Sequence, residues 1–436
     1  MENEKQTKFE KIVSLCKRRG FVYPNSEIYG GLANSYDYGP LGVQIIQSIK
    51  NMWWKKFVLD RENIYGLDGG VILNPRVWQA SGHVENFTDP LVECKKSHKR
   101  FRLDFLEAEG KKNCPECSGE LTDPKNFNGM FRTFIGSAED TSSTAYLRPE
   151  TAQAIFINFK NILNSFSPKI PFGIAQIGKS FRNEITAGNF VHRTLEFEQM
   201  ELEYFIREEN WQEVFDTWQK DIFNFVLSLG VKGENLRIRE HTDKERSHYS
   251  KKTTDIEYNH YFGWKEIWGL AYRTDFDLKS HSKVSGLDLS YKDQETGESF
   301  VPHVVEPAVG VGRLFLIAML EAYHEEENRI ILKLPVQLAP YKVAVFPLVR
   351  NKPEITAKAR EVFGLLKSHF YTAWDDRGNI GKRYYSQDEI GTPWCVTVDY
   401  QSLEDNTVTI RNRDTAKQER LNISEIEQFV TNSLTQ

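Results

Sequence analysis

Cysteine is scarce in this sequence, and long apolar runs are absent. Five cysteines among 436 residues are few and odd in number, which argues against a disulfide framework. No stretch reaches the roughly 18 consecutive apolar residues that a membrane span needs. The first residues, MENEKQTKFEK, lack the apolar core of a secretion signal. We therefore expect a cytoplasmic protein that does not enter a membrane.

An excess of positive charge is also missing. Lys and Arg number 56 against 61 Asp and Glu, giving a net charge of -5. This balance excludes a protein that wraps nucleic acid as histones do, but it leaves room for local basic patches that contact phosphate. Aromatic residues are well represented, at 13%. The chain is also longer than one hydrophobic core needs, so we expect two or three domains.

The spacing of apolar residues divides the chain in two. Helical periodicity occurs at 8–19, 43–59, 210–230 and 311–323, and two strands are expected between residues 170 and 206. After Pro335 and Pro340, strands and helices alternate, which is typical of an α/β domain with a mixed sheet. We predict an α+β protein with one domain at 1–335, containing a small inserted module at 91–145 and a helical insertion at 206–260, and a second domain at 339–436.

One motif is expected to mislead. Residues 173–180, GIAQIGKS, satisfy the phosphate-loop pattern G-x-x-x-x-G-K-[ST], which normally indicates ATP or GTP hydrolysis. That loop needs a buried strand before it and a helix after it, whereas here the apolar alternation continues through the motif. We therefore interpret these residues as part of a strand.

The charged residues that follow form a more informative pattern. Alternate residues of a strand share a face, so Arg182 and Glu184 point one way, and Phe197 and Glu201 share a face of the partner strand. A guanidinium, a ring and two carboxylates on one surface suit a nucleotide that carries a small cation. The same pattern also fits a surface hairpin with several ion pairs.

Three distant segments carry distinctive motifs. The first is Tyr36-Asp37-Tyr38-Gly39-Pro40-Leu41-Gly42 with the helix after it, the second is the pair of strands from Phe181 to Glu201, and the third runs from Val305 to Arg313. Together they resemble the three motifs of class II aminoacyl-tRNA synthetases, the first of which lies at that family's dimer interface. Within this class they resemble the dimeric type of glycyl-tRNA synthetase, and further blocks similar to it lie at 147–153, 263–273 and 390–393.

The resemblance implies a fold, an activity and partners. The fold is an antiparallel sheet flanked by helices, followed by a C-terminal anticodon-binding domain. The implied reaction activates glycine with ATP and Mg²⁺ and transfers it to tRNA(Gly), and the implied assembly is a homodimer. Two alternatives stay open: a non-catalytic, synthetase-like subunit that binds nucleic acid, and a synthetase for another small amino acid.

The resemblance also assigns residues to ATP. Arg182 is expected on the α-phosphate and Arg313 on the γ-phosphate, while Phe197 stacks on adenine and Glu184 meets its amino group. Glu266 is assigned to the ATP site as well. An unpaired guanidinium on an apolar helix face is unfavourable, so Arg313 either binds a ligand or closes a structural ion pair.

A second set of residues is assigned to glycine. Glu150, Glu201 and Glu306 are expected around the ammonium group, and Arg273 near the carboxylate. Two residues after Glu306 the family usually has Ser, whereas this chain has Ala308. A hydroxyl expected near the substrate is therefore absent.

The insert and the second domain supply the last candidates. Cys94, Cys114 and Cys117 resemble part of a zinc ribbon whose usual second cysteine is here Ser97, so His98 is a candidate fourth ligand of a structural zinc ion. A module without metal is the alternative. In the second domain, Arg411, Arg413 and Asp414 are candidates for reading anticodon bases.

Overall fold

The computed structural model describes residues 2–108, 110–137, 139–184, 188–247 and 249–434. The helices within these residues are α1 Glu2–Arg19, α2 Pro40–Trp54, α3 Pro75–Ala80, α4 His83–Asn86, α5 Leu103–Ala108, α6 Ala152–Phe166, α7 Trp211–Ser228, α8 Phe276–Ser285, α9 Val311–Ala322, α10 Pro353–Lys367, α11 Ile380–Ile390, α12 Gln401–Asp405 and α13 Ile426–Leu434. A π-helical segment, Lys55–Leu59, continues α2. No helix among the described residues has the length and apolar character to cross a membrane.

The strands fall into several sheets. They are β1 Val22–Pro24, β2 Tyr36–Tyr38, β3 Ile64–Leu67, β4 Thr88–Glu93, β5 Arg100–Arg102, β6 Lys125–Asn128, β7 Arg132–Phe134, β8 Thr144–Tyr146, β9 Phe172–Phe181, β10 Glu196–Ile206, β11 Leu236–Glu240, β12 Lys252–His260, β13 Gly263–Thr274, β14 Tyr291–Lys292, β15 Ser299–Phe300, β16 His303–Gly310, β17 Tyr323–Glu326, β18 Arg329–Leu332, β19 Val343–Pro347, β20 Thr372–Trp374, β21 Trp394–Val398, β22 Thr407–Asn412 and β23 Gln418–Asn422.

The largest sheet has seven strands in the order β11-β12-β13-β16-β10-β9-β3. All its pairs are antiparallel except β3 with β9. Side chains alternate across it, so Met200, Leu202 and Tyr204 of β10 enter the main core with α7 and α9. The intervening Glu201 and Glu203 therefore lie on the opposite face, where the candidate site is found.

Most of the predicted elements of this domain are confirmed, including the strand pair at 170–206 and the helices near 43–59, 210–230 and 311–323. The predicted helical insertion at 206–260 is wrong in its second half. There, β11 and β12 form one edge of the seven-stranded sheet, and α7 is the only long helix among the residues described in this range. Propensity missed them because strands that complete a sheet are stabilised by cross-strand pairing more than by local sequence.

The C-terminal part forms a second sheet in the order β20-β19-β21-β22-β23. Its first three strands are parallel and the last two pairs antiparallel, which confirms the predicted mixed sheet. Apolar residues of α10, α13 and the central strands form a separate core.

The small inserted module is built on the three-stranded sheet β5-β4-β6. Its strands are short, and Leu91, Val92 and Leu106 supply most of its buried aliphatic side chains. It meets the main domain beside β9, where the amide of Asn183 donates to the carbonyl of Gly129 at 2.8 Å.

Candidate active site

A cavity of about 640 Å³ lies over the polar face of the seven-stranded sheet. It receives side chains from β10, β13, β16, the start of α9 and the segment before α6. Eight of the predicted site residues line it, namely Glu150, Arg182, Glu184, Phe197, Glu201, Glu266, Glu306 and Arg313. Residues separated by more than 160 positions in sequence are thus brought to one surface.

Arg182 and Phe197 lie side by side, as their strand positions predict. Phe197 pairs with Ser180 across β9 and β10, and the amide of Arg182 donates to the carbonyl of Leu195, so the ladder extends past the end of β9. The guanidinium carbon of Arg182 is 5.4 Å from the Phe197 ring centroid. Its Nε donates to the carbonyl of Pro149 at 3.0 Å, which fixes the side chain in the cavity.

Arg313 occupies the first turn of α9 and closes an ion pair with Glu266 at 2.8 Å. The amino terminus of α9 follows directly from β16, so its free amides and positive dipole end lie beside this arginine. Close packing depends on Gly312, because a Cβ there would lie 2.8 Å from the Val191 carbonyl oxygen and 3.0 Å from the Tyr38 hydroxyl. This end of the cavity is suited to anionic groups.

Two buried carboxylates, Glu150 and Glu201, are held in different ways. His83 Nε2 lies 3.2 Å from Glu150; although burial alone would raise the pKa of Glu150, His83 and Arg273 bring it below its usual value. Glu201 accepts bonds from the amide and hydroxyl of Thr151. Burial, reinforced by the charges of Glu306 and Glu150, raises the pKa of Glu201 to about 8.

The position of Arg273 differs from the prediction. Its side chain is only 1% exposed, does not line the cavity, and donates to both Asp277 and Glu306. The Tyr249 ring covers it, with the guanidinium carbon 3.8 Å from the ring centroid. Arg273 therefore orients Glu306 from behind, and a direct contact with a substrate carboxylate does not follow from this arrangement.

Glu203 was missed in the sequence. It is fully buried, and among the described residues neither of its carboxylate oxygens has a hydrogen-bond partner. Burial, with the added charge of Glu306, raises its pKa well above the usual value. Strand alternation could have found it, because Glu203 continues the series that includes Phe197 and Glu201.

Ala308 lies at the base of this carboxylate group. It pairs with Glu201 of β10 on one side and Gly269 of β13 on the other, and it lines the cavity. A methyl group therefore stands where the resemblance predicts a hydroxyl.

The phosphate-loop pattern is confirmed as a strand. Residues 173–180 lie within β9, and Lys179 is half exposed in an ion pair with Glu196. Among the described residues, the strand continues to Phe181 and no α-helix occurs before β10, so these residues do not form the loop that cradles phosphate in hydrolases of that type.

Of the predicted zinc ligands, the structure brings three together. The sulfur atoms of Cys94, Cys114 and Cys117 all lie within 4.8 Å of one another. His98 does not join them: its side chain is 76% exposed, and its ring contacts Glu93. His98 turns away from the sulfur atoms because its backbone adopts a left-handed conformation at the end of a tight loop.

The prediction that Arg411 and Arg413 read anticodon bases is also wrong, because both are buried. Arg411 donates two bonds to Asp388, at 2.8 and 2.9 Å. Arg413 donates to the carbonyls of Gly391 and Leu334, both at 2.8 Å, and pairs with the more exposed Asp414. These arginines stabilise the domain and its junction and cannot reach a base.

Comparison with known proteins agrees with both parts of the fold. Residues 134–323 match the family "tRNA synthetase class II core domain (G, H, P, S and T)", and residues 342–433 match the family "Anticodon binding domain". The two matches lie inside the domains expected at 1–335 and 339–436.

Similar proteins match along nearly the whole chain. The sequence is 49% identical to the glycine–tRNA ligase of Alkaliphilus oremlandii and 51% identical to that of Streptomyces coelicolor, in each case over 98% of both chains. It is 50% identical to the glycine–tRNA ligase of Thermobifida fusca over 99% of both chains. Because identity near one half extends over nearly the full length, the chain belongs to the glycine–tRNA ligase family of class II aminoacyl-tRNA synthetases.

Proposed function

We propose that the protein activates glycine with ATP to glycyl-adenylate and transfers the glycyl group to the 3′ end of tRNA(Gly). One observation carries the proposal: the same cavity is lined by two arginines and an aromatic ring suited to ATP and by three buried carboxylates suited to an ammonium group. Glycine is a small ammonium ion whose carboxylate reacts, and ATP is the phosphate donor that such a site accommodates.

In the first step, a glycine carboxylate oxygen forms a bond to the α-phosphorus, while the bond to the pyrophosphate oxygen breaks. No side-chain nucleophile is required, so rate enhancement comes from position and charge. We assign Arg182 to the α-phosphate and Arg313 to the γ-phosphate, with Phe197 against adenine and Glu184 near its amino group. The ring contact between Arg182 and Phe197 supports this placement.

For the metal that accompanies ATP we propose Mg²⁺. Glu266, which lies beside Arg313, would offer an oxygen donor, and most other ligands would come from phosphate and water, as is usual for this ion. The ion would offset the charge that develops on the leaving pyrophosphate.

We place glycine among Glu150, Glu201 and Glu306, with Arg273 holding Glu306 from behind. In the second step, a ribose hydroxyl of tRNA forms a bond to the glycyl carbonyl carbon, and AMP leaves. Larger amino acids carry a side chain that this crowded group of buried residues excludes by contact, which is easier than detecting a missing methylene.

For the assembly we propose a homodimer. Ile28 and Tyr29 are 88% and 87% exposed, and Leu32 is 55% exposed, just before the segment Tyr36–Gly42 that resembles the dimer motif. Large apolar side chains exposed together are typical of a surface that another chain covers.

We also propose a cytoplasmic location, because the charging of tRNA takes place in the cytoplasm. For the small module we keep the predicted zinc ion as a proposal, supported by its three converging thiols.

The reaction is tested by ATP–pyrophosphate exchange without tRNA, with glycine, alanine, serine and proline in parallel. Exchange with glycine alone is expected. Folded protein that gives no exchange with any amino acid would instead favour a non-catalytic subunit, and exchange with another amino acid would contradict the assigned substrate.

Two variants distinguish a reaction in the cavity from a reaction at the phosphate-loop pattern. Arg182→Ala removes the proposed phosphate contact, so exchange should fall by roughly 100-fold or more. Lys179→Ala removes a half-exposed side chain at the cavity wall that is paired with Glu196 and has no assigned substrate contact, so it should retain most of the activity. Exchange that depends on Lys179 but not on Arg182 would contradict the assignment.

A further inference from the structure

Two loops of the small module have the same backbone geometry. They span residues 94–99 and 114–119, and each begins with a cysteine. In both, the first amide donates to the carbonyl of the sixth residue and the fifth amide donates to the carbonyl of the first, all at 2.8 or 2.9 Å. The fifth residue is left-handed in both, with φ of 55° at His98 and 56° at Ser118. The loops therefore correspond position by position.

This correspondence identifies the side chains that face one another. The first and fourth residues are Cys94 and Ser97 in one loop, and Cys114 and Cys117 in the other. Cys94 Sγ is 3.5 Å from Cys117 Sγ, and Ser97 Oγ is 3.7 Å from Cys114 Sγ. Three sulfur atoms and one hydroxyl oxygen thus converge between the loops, with the hydroxyl in the position that a fourth cysteine would take.

His98 has no counterpart among these converging side chains. It corresponds to Ser118, the left-handed residue of the other loop, and its side chain turns outward to Glu93. A fourth ligand from His98 would require this loop to abandon the geometry that it shares with its partner.

We infer that the two loops bind one zinc ion through Cys94, Cys114 and Cys117, with oxygen rather than His98 in the fourth position beside Ser97. Thiolates favour zinc, and a tetrahedral site with three protein sulfurs leaves one position for an oxygen donor. Because a neutral oxygen binds zinc less strongly than a thiolate, the ion should exchange more readily than one held by four cysteines.

The module has a physical need for such an ion. Its three central strands are short, Cys94 and Cys114 are 0% and 2% exposed, and few aliphatic side chains surround them. Small units with little core are commonly stabilised by metal. The hydrogen bond from Asn183 to Gly129 joins this module to the segment that contains Arg182. A well-folded module therefore also supports the edge of the cavity.

Cobalt substitution tests the ligand set in the full-length protein, independently of catalysis. The reduced protein, freed of metal by a chelator, is titrated with Co²⁺ and then with Zn²⁺. We expect one equivalent of Co²⁺ to produce a thiolate charge-transfer band, which Zn²⁺ abolishes. Absence of the band, together with no retained zinc, would overturn the site.

Two variants distinguish the fourth ligand. Ser97→Cys should increase the charge-transfer intensity by about one third and slow the loss of zinc to a chelator by roughly tenfold or more. His98→Ala should leave both unchanged. Weaker metal binding in His98→Ala, with no gain in Ser97→Cys, would show that histidine is the ligand and would overturn the inference.

Discussion

Glu201 and Glu203 are neighbours on one face of β10, but their surroundings differ. Glu201 accepts two bonds from Thr151 and lines the cavity, whereas both oxygens of Glu203 lack hydrogen-bond partners in the part of the chain that the structure describes. Burial raises the pKa of both residues, to about 8 for Glu201 and well above the usual value for Glu203. One carboxyl therefore titrates within the working range of pH, whereas burial shifts the other toward its neutral form.

This difference predicts how glycine binding depends on pH. Below pH 8 the Glu201 carboxyl carries a proton, and as pH rises through about 8 it ionises and attracts the ammonium group. We expect the KM for glycine to fall across this range, and the pH dependence to disappear in Glu201→Gln. The groups that face Glu201 are Thr151, Gln199, Glu150, Glu203, Glu306, Arg148 and Arg273.

Glu203→Gln is the matched control. Because burial raises the pKa of Glu203 and favours its neutral form, the uncharged amide is a close substitute, and the pH profile of KM should be retained. A profile that flattens in Glu203→Gln and persists in Glu201→Gln would show that the two roles are reversed.

Helix α9 supplies Arg313 only because its first turn approaches the neighbouring segments closely. Gly312 makes this possible: an added Cβ would lie 2.8 Å from the Val191 carbonyl oxygen, which is backbone and cannot rotate away. The contact joins α9 to the loop between β9 and β10, so the position of Arg313 depends on the packing of an entire element.

Two helical glycines should consequently respond in opposite ways to alanine. Gly364→Ala in α10, which has nothing within 4 Å of its Cβ position, should stabilise the protein by roughly 0.5–1 kcal/mol through helix propensity. Gly312→Ala should lower the thermal midpoint and raise the KM for ATP. Equal stabilisation by both changes would contradict the steric role of Gly312.

The two domains are joined through a buried ionic group centred on Asp388 of α11. This carboxylate is fully buried and accepts from Arg411 of the same domain and, at 2.9 Å, from Arg329 of β18. Arg413 adds one bond to the carbonyl of Leu334 in the connecting segment. Removing one partner of a buried ion pair leaves charge uncompensated and is strongly destabilising.

Asp388→Asn should therefore loosen the junction while leaving the cavity intact. We expect kcat/KM for tRNA charging to fall by roughly tenfold or more, with ATP–pyrophosphate exchange within about twofold of the original. Glu404→Gln, an exposed change in the same domain, is the control for both assays. A parallel loss of exchange would indicate that Asp388 supports the whole molecule and not the junction alone.

The proposed dimer surface can be tested by substitutions that change the association of whole molecules. Placing charge on it through Ile28→Asp with Tyr29→Asp should weaken self-association by roughly tenfold or more in sedimentation equilibrium. Leu287→Asp, at another exposed apolar position, should have no effect. Monomeric starting protein, or an equal response in the control, would contradict the assignment of this surface.

The sequence alone determined the features that depend on local periodicity. Alternation along β9 and β10 is a property of each strand, so the shared face of Arg182 and Phe197 followed from residue spacing. The same alternation excluded the phosphate loop. Pro335 and Pro340, followed by alternating strands and helices, located the second domain. The motifs and their order along the chain identified the family, and the resemblance to that family identified the residues that line the cavity.

Tertiary structure alone decided the features that depend on which distant groups meet. Arg411 and Arg413 are of a residue type that often reads bases, but in the fold they are buried and donate to Asp388 and to backbone carbonyls. The outward turn of His98 depends on a backbone conformation, and the environment of Glu203 depends on strands from three parts of the chain. Burial and long-range pairing set these outcomes, because the same side chain is a ligand, a support or an isolated group according to what the fold places against it.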